Sequence, residues 1–87
     1  MITKELAIQA NRQVKGEFIK KEYGHGIGVG LNTNEEGLTS YVVTMYTSNI
    51  AQAQQDFGDT IEVANDGITT LVPIKYVQME GFKPEGF

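Results

Sequence analysis

The sequence predicts an α+β domain: an N-terminal helix packed on a three- or four-stranded, mostly antiparallel sheet, with a short crossover helix. Three observations lead there. Apolar residues recur every fourth position through the first segment, later stretches alternate with a period of two, and a capping signal at Asn49 opens a short apolar stripe. With 87 residues and 40% hydrophobic content, the chain has enough apolar surface for one modest core. It is too apolar for a disordered chain and too polar for a membrane protein.

Residues 3–22 read as the long helix. Leu6, Ala10, Val14 and Phe18 are spaced by four, and Ala7 and Ile19 widen the stripe. Thr3 is placed to cap the start, and Tyr23-Gly24 to end it. Residues 24–31 then alternate strictly. His25, Ile27, Val29 and Leu31 share one face, and Gly24, Gly26, Gly28 and Gly30 share the other. Glycine weakens a strand interior, so the run calls for a physical reason, and the expectation is backbone packed closely against the glycine face. Residues 32–37, rich in Asn, Thr, Glu and Gly, form a hairpin loop.

Residues 38–46 form the strongest strand. Tyr41, Val43 and Met45 point one way and Val42, Thr44 and Tyr46 the other. Both faces are partly apolar, which predicts a central strand covered on both sides. Asn49 with Gln52 resembles a capping box ahead of a helix over residues 50–57, with Ile50, Ala53 and Phe57 inward and Gly58 as the stop. Residues 60–64 are a short extended piece, and Asn65-Asp66-Gly67 is a turn signal. Residues 69–78 form the last strand, with Val72, Ile74 and Tyr76 on one face and Leu71 and Val77 on the other. Pro73 lacks a backbone donor, which predicts an edge position or a bulge. The crossover returns this strand parallel to one of the first pair. The domain therefore spans residues 1–80, and residues 81–87 are expected to be a flexible tail.

The net charge is -4, unevenly spread. Residues 1–25 carry five basic and three acidic side chains, and residues 26–87 carry two basic and eight acidic. An acidic body disfavours nucleic acid, and the basic residues of the first segment read as the solvated face of a helix. No 18-residue apolar run exists and the N-terminus has no apolar signal core, so the expected location is cytoplasmic, with no membrane partner. The chain has no Cys, which removes disulfides and thiolate chemistry.

No catalytic constellation is legible. His25 is the only histidine, and the carboxylates at 35, 36, 59, 62 and 66 lack metal-loop spacing. The glycine run precedes a hairpin rather than a helix, so it is not a dinucleotide fingerprint. The chain is accordingly expected not to be an enzyme and to need no cofactor or metal.

Ile27-Gly28-Val29-Gly30, the strand at Tyr41-Val42-Val43, and Asn65-Asp66-Gly67-Ile68 followed by Val72-Pro73-Ile74 together resemble the small α/β segment that precedes the protease part in some bacterial trypsin-like proteins. The spacing from Gly67 to Pro73 is longer here than in that pattern, and none of the Ser-His-Asp machinery carries over. The resemblance implies a bacterial accessory module that touches a protease or another effector.

The leading expectation is a non-catalytic protein–protein interaction or assembly module, working as a homodimer because apolar strand faces need cover. Two alternatives stand beside it. A protease-associated inhibitor or pro-region-like domain would insert Phe82 and Phe87 into a partner's cleft. A small ligand-binding protein or enzyme would need a pocket at His25 with a carboxylate in hydrogen-bond reach. The candidate contact residues are His25, Tyr41, Met45, Tyr46, Tyr76, Phe82 and Phe87.

Overall fold

A computed structural model describes residues 2–79. The element order is α1 (Lys4–Ile19), β1 (Gly24–Thr33), β2 (Thr39–Thr47), α2 (Ile50–Phe57), β3 (Thr60–Asn65) and β4 (Ile68–Gln78). The strands form one sheet in the order β1-β2-β4-β3. β1 and β2 are antiparallel, β2 and β4 parallel, and β3 and β4 antiparallel. The fold is the expected α+β arrangement, with four strands and a crossover through α2.

Thr3 caps α1 by accepting the Leu6 N–H at 3.2 Å. Ala7, Ala10 and Phe18 are fully buried, while Leu6 and Val14 pack at the margin of the core. The two alanines let the helix lie close on the sheet. α1 stops at Ile19, three residues short of the expected end, because the chain must turn to bring the Gly24 backbone against the Phe18 carbonyl. That shortening leaves Ile19 half exposed instead of buried.

Cross-strand partners share a face, so the pairing defines two sides of the sheet. Ile27 lies opposite Met45 and Val29 opposite Val43. Val43 and Met45 pair in turn with Ile74 and Tyr76, and Val72 with Ile61. This side carries the core: Val43, Met45, Val63 and Val72 are completely buried with Ala7, Ala10, Phe18 and Ala53 of the helices. Phe18 also meets the rings of Phe57 (5.5 Å) and Tyr23 (6.1 Å) edge-on, joining α1, α2 and the entry to β1. Each such aromatic pair is worth about 0.5–1.5 kcal/mol beyond its burial.

The opposite side joins Gly26 to Tyr46, Gly28 to Thr44 and Gly30 to Val42, with Lys75 and Val77 beyond them on β4. Both helices pack on the core side, so β2 is central but covered by helix on one face only. The glycine face is correspondingly not closed by backbone. A Cβ on Gly28 would meet nothing within 4 Å, and one on Gly26 would meet only the Tyr46 side chain at 3.6 Å. Gly24 does not share this face as the alternation predicted: the bulge at His25 turns it to the helix side with its partner Thr47, where a Cβ would collide with the Phe18 carbonyl.

Pro73 lies within an interior strand and still faces an edge. Ile74 N–H donates to the Asp59 carbonyl on the β3 side (2.9 Å), and Met79 N–H to the Thr47 carbonyl on the β2 side (2.8 Å). Alternation then points the nitrogen of Pro73 at β2. The β2–β4 ladder begins only at Val43–Ile74, because the preceding position has no N–H to offer. β4 thus pairs with β3 through its first half and with β2 through its second. Ahead of the ladder, Ile2 stands in for β4: its carbonyl accepts the Tyr41 N–H at 3.2 Å and its N–H donates to Ser40 Oγ at 2.9 Å.

Asn49 caps α2 by accepting the Gln52 N–H at 3.1 Å. The capping box is only half formed. The Gln52 side chain turns to Asp56, and the Asn49 N–H donates instead to Thr47 Oγ1 at 3.1 Å. Tyr76 OH donates to the Gly58 carbonyl at 2.6 Å, which fastens the end of α2 to the sheet. The β3–β4 turn has Asp66 at φ 53° and Gly67 at φ 78°, the left-handed pair that a two-residue hairpin of primed type requires.

Candidate functional site

Two adjoining features remain open on the glycine side of the sheet: a groove at the hairpin end and the outer edge of β1. The groove has a volume of about 390 Å³ and is lined by Asn32, Asn34, Leu38, Thr39, Ser40, Val42 and Pro73. It lies where β2 and β4 part, so the missing donor of Pro73 helps to make it. Val42 is buried and Leu38 exposed. Amide and hydroxyl groups of Asn32, Thr39 and Ser40 stand around this apolar surface, and no lining residue is charged. The Asn34 carboxamide oxygen holds the turn by accepting the N–H groups of Glu36 (2.9 Å) and Leu38 (3.0 Å).

The outer edge of β1 follows from hydrogen-bond alternation. The Tyr41 N–H points away from β1, since it reaches Ile2. Its partner Leu31 must likewise direct its backbone groups away from β2, and so must Val29 and Ile27 at two-residue intervals. Among the described residues no backbone partner meets these groups. Gly24–Thr33 contains no Asp, Glu, Lys, Arg or Pro, the usual blockers of an exposed edge. Its one irregularity is a bulge at His25, where the register shifts between Gly24 and Gly26. From Gly26 to Thr33 the strand is regular.

The expected contact residues are not gathered into one place. Tyr46 is 38% exposed on the uncovered face, beside Gly26. His25 is exposed on the bulge, at the end of β1 remote from the groove. Tyr41 and Tyr76 are half-buried on the helix side. Met45 is fully buried under the helices, which corrects its reading as a contact residue. Alternation put it on a face with Tyr41, and only the position of α1 decides that this face is the core. Phe82 and Phe87 lie outside the described residues. The groove residues Asn32, Leu38, Thr39 and Ser40 were hidden from sequence reasoning, because they look like ordinary turn flanks until Pro73 is brought beside them.

The perturbed acid–base groups lie on the helix side. Tyr23 OH donates to the Asp56 carboxylate at 2.6 Å. Desolvation, then this hydrogen bond, pushes the Tyr23 phenol well above its ordinary value of 10.0. Asp56 is held below 3.8, first by Tyr23, then by Gln52, with help from the Lys21 charge. Burial, with Asp59 nearby, pushes Tyr76 up to about 12. These interactions join α2 to its neighbours and do not converge on a cavity. Among the described residues no three His, Asp or Glu side chains form a metal-binding group, and no helix is long and apolar enough to cross a membrane.

No family model, curated protein or solved structure matches the chain.

Proposed function

We propose that this domain is a non-catalytic protein–protein interaction module whose groove receives an extended, uncharged segment of a partner protein. The observation that carries the reading is the groove itself: an uncharged hollow between β2 and β4, with Val42, Leu38 and Pro73 set among amides and hydroxyls. Such a lining suits a polypeptide in extended form. The apolar surface takes an aliphatic side chain, while Asn32, Thr39 and Ser40 can bond backbone amides. A charged segment would lose hydration there without gaining an ion pair.

The experiment is comparative capture from native lysate, followed by binding of a synthetic peptide from whatever is retained. The wild-type domain should hold a partner that Leu38→Glu releases, and an uncharged peptide from that partner should bind wild type at least about tenfold more tightly than the variant. His25→Gln should retain the same partner. Retention indifferent to Leu38→Glu, or loss confined to His25→Gln, would overturn the reading.

A further inference from the structure

We infer that the free edge of β1 is the contact for a second copy of this chain, paired antiparallel about a twofold axis at Val29. The inference rests on the interaction-module reading but uses a different surface, so each can fail alone. Three observations carry it.

The first is the edge itself. Ile27, Val29 and Leu31 direct unpaired backbone groups outward from a strand with no charge and no proline. A twofold axis at Val29 sets Val29 against the partner's Val29 and Ile27 against the partner's Leu31. All three positions are of the outward-facing kind, so each pair exchanges two hydrogen bonds. The bulge at His25 lies outside this stretch.

The second is the side chains that this register brings together. On the helix side, Leu31 is 58% exposed, and the register places it against the partner's Ile27. On the other side, Gly28 meets the partner's Gly30 and Gly30 the partner's Gly28, while Gly26 meets the partner's Asn32. At the two Gly28–Gly30 pairs no side chain stands between the backbones, and the Gly28 position is open.

The third is charge complementarity. Antiparallel pairing carries the β1–β2 hairpin tip of one copy to the start of β1 in the other. The tip bears Glu35 and Glu36. The start of β1 follows the end of α1, where Lys20 and Lys21 line a shallow hollow of about 480 Å³ with Gly16 and Glu17. Residues 12–22 hold four basic and two acidic side chains, so a twice-negative tip meets a twice-positive helix end. The contact occurs twice by symmetry. Parallel pairing would set tip against tip, with like charges facing.

The test is sedimentation velocity on the full chain with paired charge reversals. Wild type at tens of micromolar should sediment at twice 9.6 kDa, and the dimer should weaken as salt rises. The double variant Glu35→Lys, Glu36→Lys should dissociate about tenfold or more readily, and so should Lys20→Glu, Lys21→Glu. Mixed together, the two variants should form a heterodimer, because every tip then faces a helix end of opposite sign. These substitutions are on exposed or half-buried surface, and circular dichroism checks their fold. A backbone readout accompanies them: the Val29 amide should exchange slowly in the dimer and quickly on dilution. A species of 9.6 kDa across a tenfold dilution would overturn the pairing, as would a dimer indifferent to both charge sets. Slow Val29 exchange in a monomer would also overturn it, and would give the edge to residues 80–87 of the same chain. None of these results bears on peptide binding in the groove, which Leu38→Glu reads separately.

Discussion

The Tyr23 hydroxyl donates to the Asp56 carboxylate across 2.6 Å, linking the segment between α1 and β1 to the second turn of α2. Its ring sits edge-on to Phe18, which meets Phe57 in the same way. One tyrosine therefore ties together the end of α1, the entry to β1 and a helix too short to stand alone.

That contact has a pH signature. The folded carboxyl of Asp56 lies below 3.8, first because of Tyr23. Its contribution to stability is full above the unfolded value and is lost as pH falls through the folded one. Tyr23→Phe should therefore lower the urea midpoint more at pH 7 than at about pH 2. Equal shifts at both values would show that the hydrogen bond to Asp56 contributes nothing.

Tyr76 gives the opposite limb. Its folded value is about 12, raised from 10.0, so its contribution is full below 10 and is lost as pH rises through 12. Tyr76→Phe should flatten the loss of stability across this alkaline window. Tyr23 titrates in the same direction, so some slope remains. The variant should also cost about 1–3 kcal/mol at neutral pH, because the Gly58 carbonyl loses its hydroxyl donor. Urea melts at several pH values measure both effects.

Two glycines of the same strand should respond oppositely to alanine. At Gly24 a Cβ collides with the Phe18 carbonyl, and relief requires backbone movement costing about 1–3 kcal/mol. At Gly28 the space is open, and alanine should be neutral or stabilising by up to about 1 kcal/mol. Chemical denaturation of the two variants decides. A destabilised Gly28→Ala would mean that the uncovered face is packed.

Asn49→Ala should destabilise the domain by about 0.5–2 kcal/mol through loss of the α2 cap. Gln52→Ala should leave the cap intact, because the Gln52 side chain is bonded to Asp56 and not to the Asn49 N–H. Amide exchange at Gln52 distinguishes them: it should quicken in the first variant and hold in the second.

Much of the architecture was legible in particular residues. The spacing of Leu6, Ala10, Val14 and Phe18 marked α1, and Asn49 and Gly58 bounded α2 at its observed limits. Asp66-Gly67 marked the tight hairpin, and Val43, Met45, Val72, Ile74 and Tyr76 were correctly grouped by face. These are local signals, readable over a few residues. The groove was not legible. Val42 and Pro73 are 31 positions apart, and neither suggests the other until β4 returns parallel to β2.

By itself, the sequence determined the order of elements and, outside the His25 bulge that turns Gly24 to the helix side, which residues of each strand share a side, because periodicity and capping are properties of the local backbone. Tertiary structure alone decided which side is covered. Alternation made both faces of β2 look apolar, but α1 and α2 pack on the same side, and among the described residues no helix covers the glycine face. It likewise decided that Pro73 would stop a ladder inside the sheet and not at its rim. Alternation fixes only the relative direction of side chains and hydrogen bonds along one strand. What lies opposite them depends on contacts closed over tens of residues, where the helices settle after the sheet is paired.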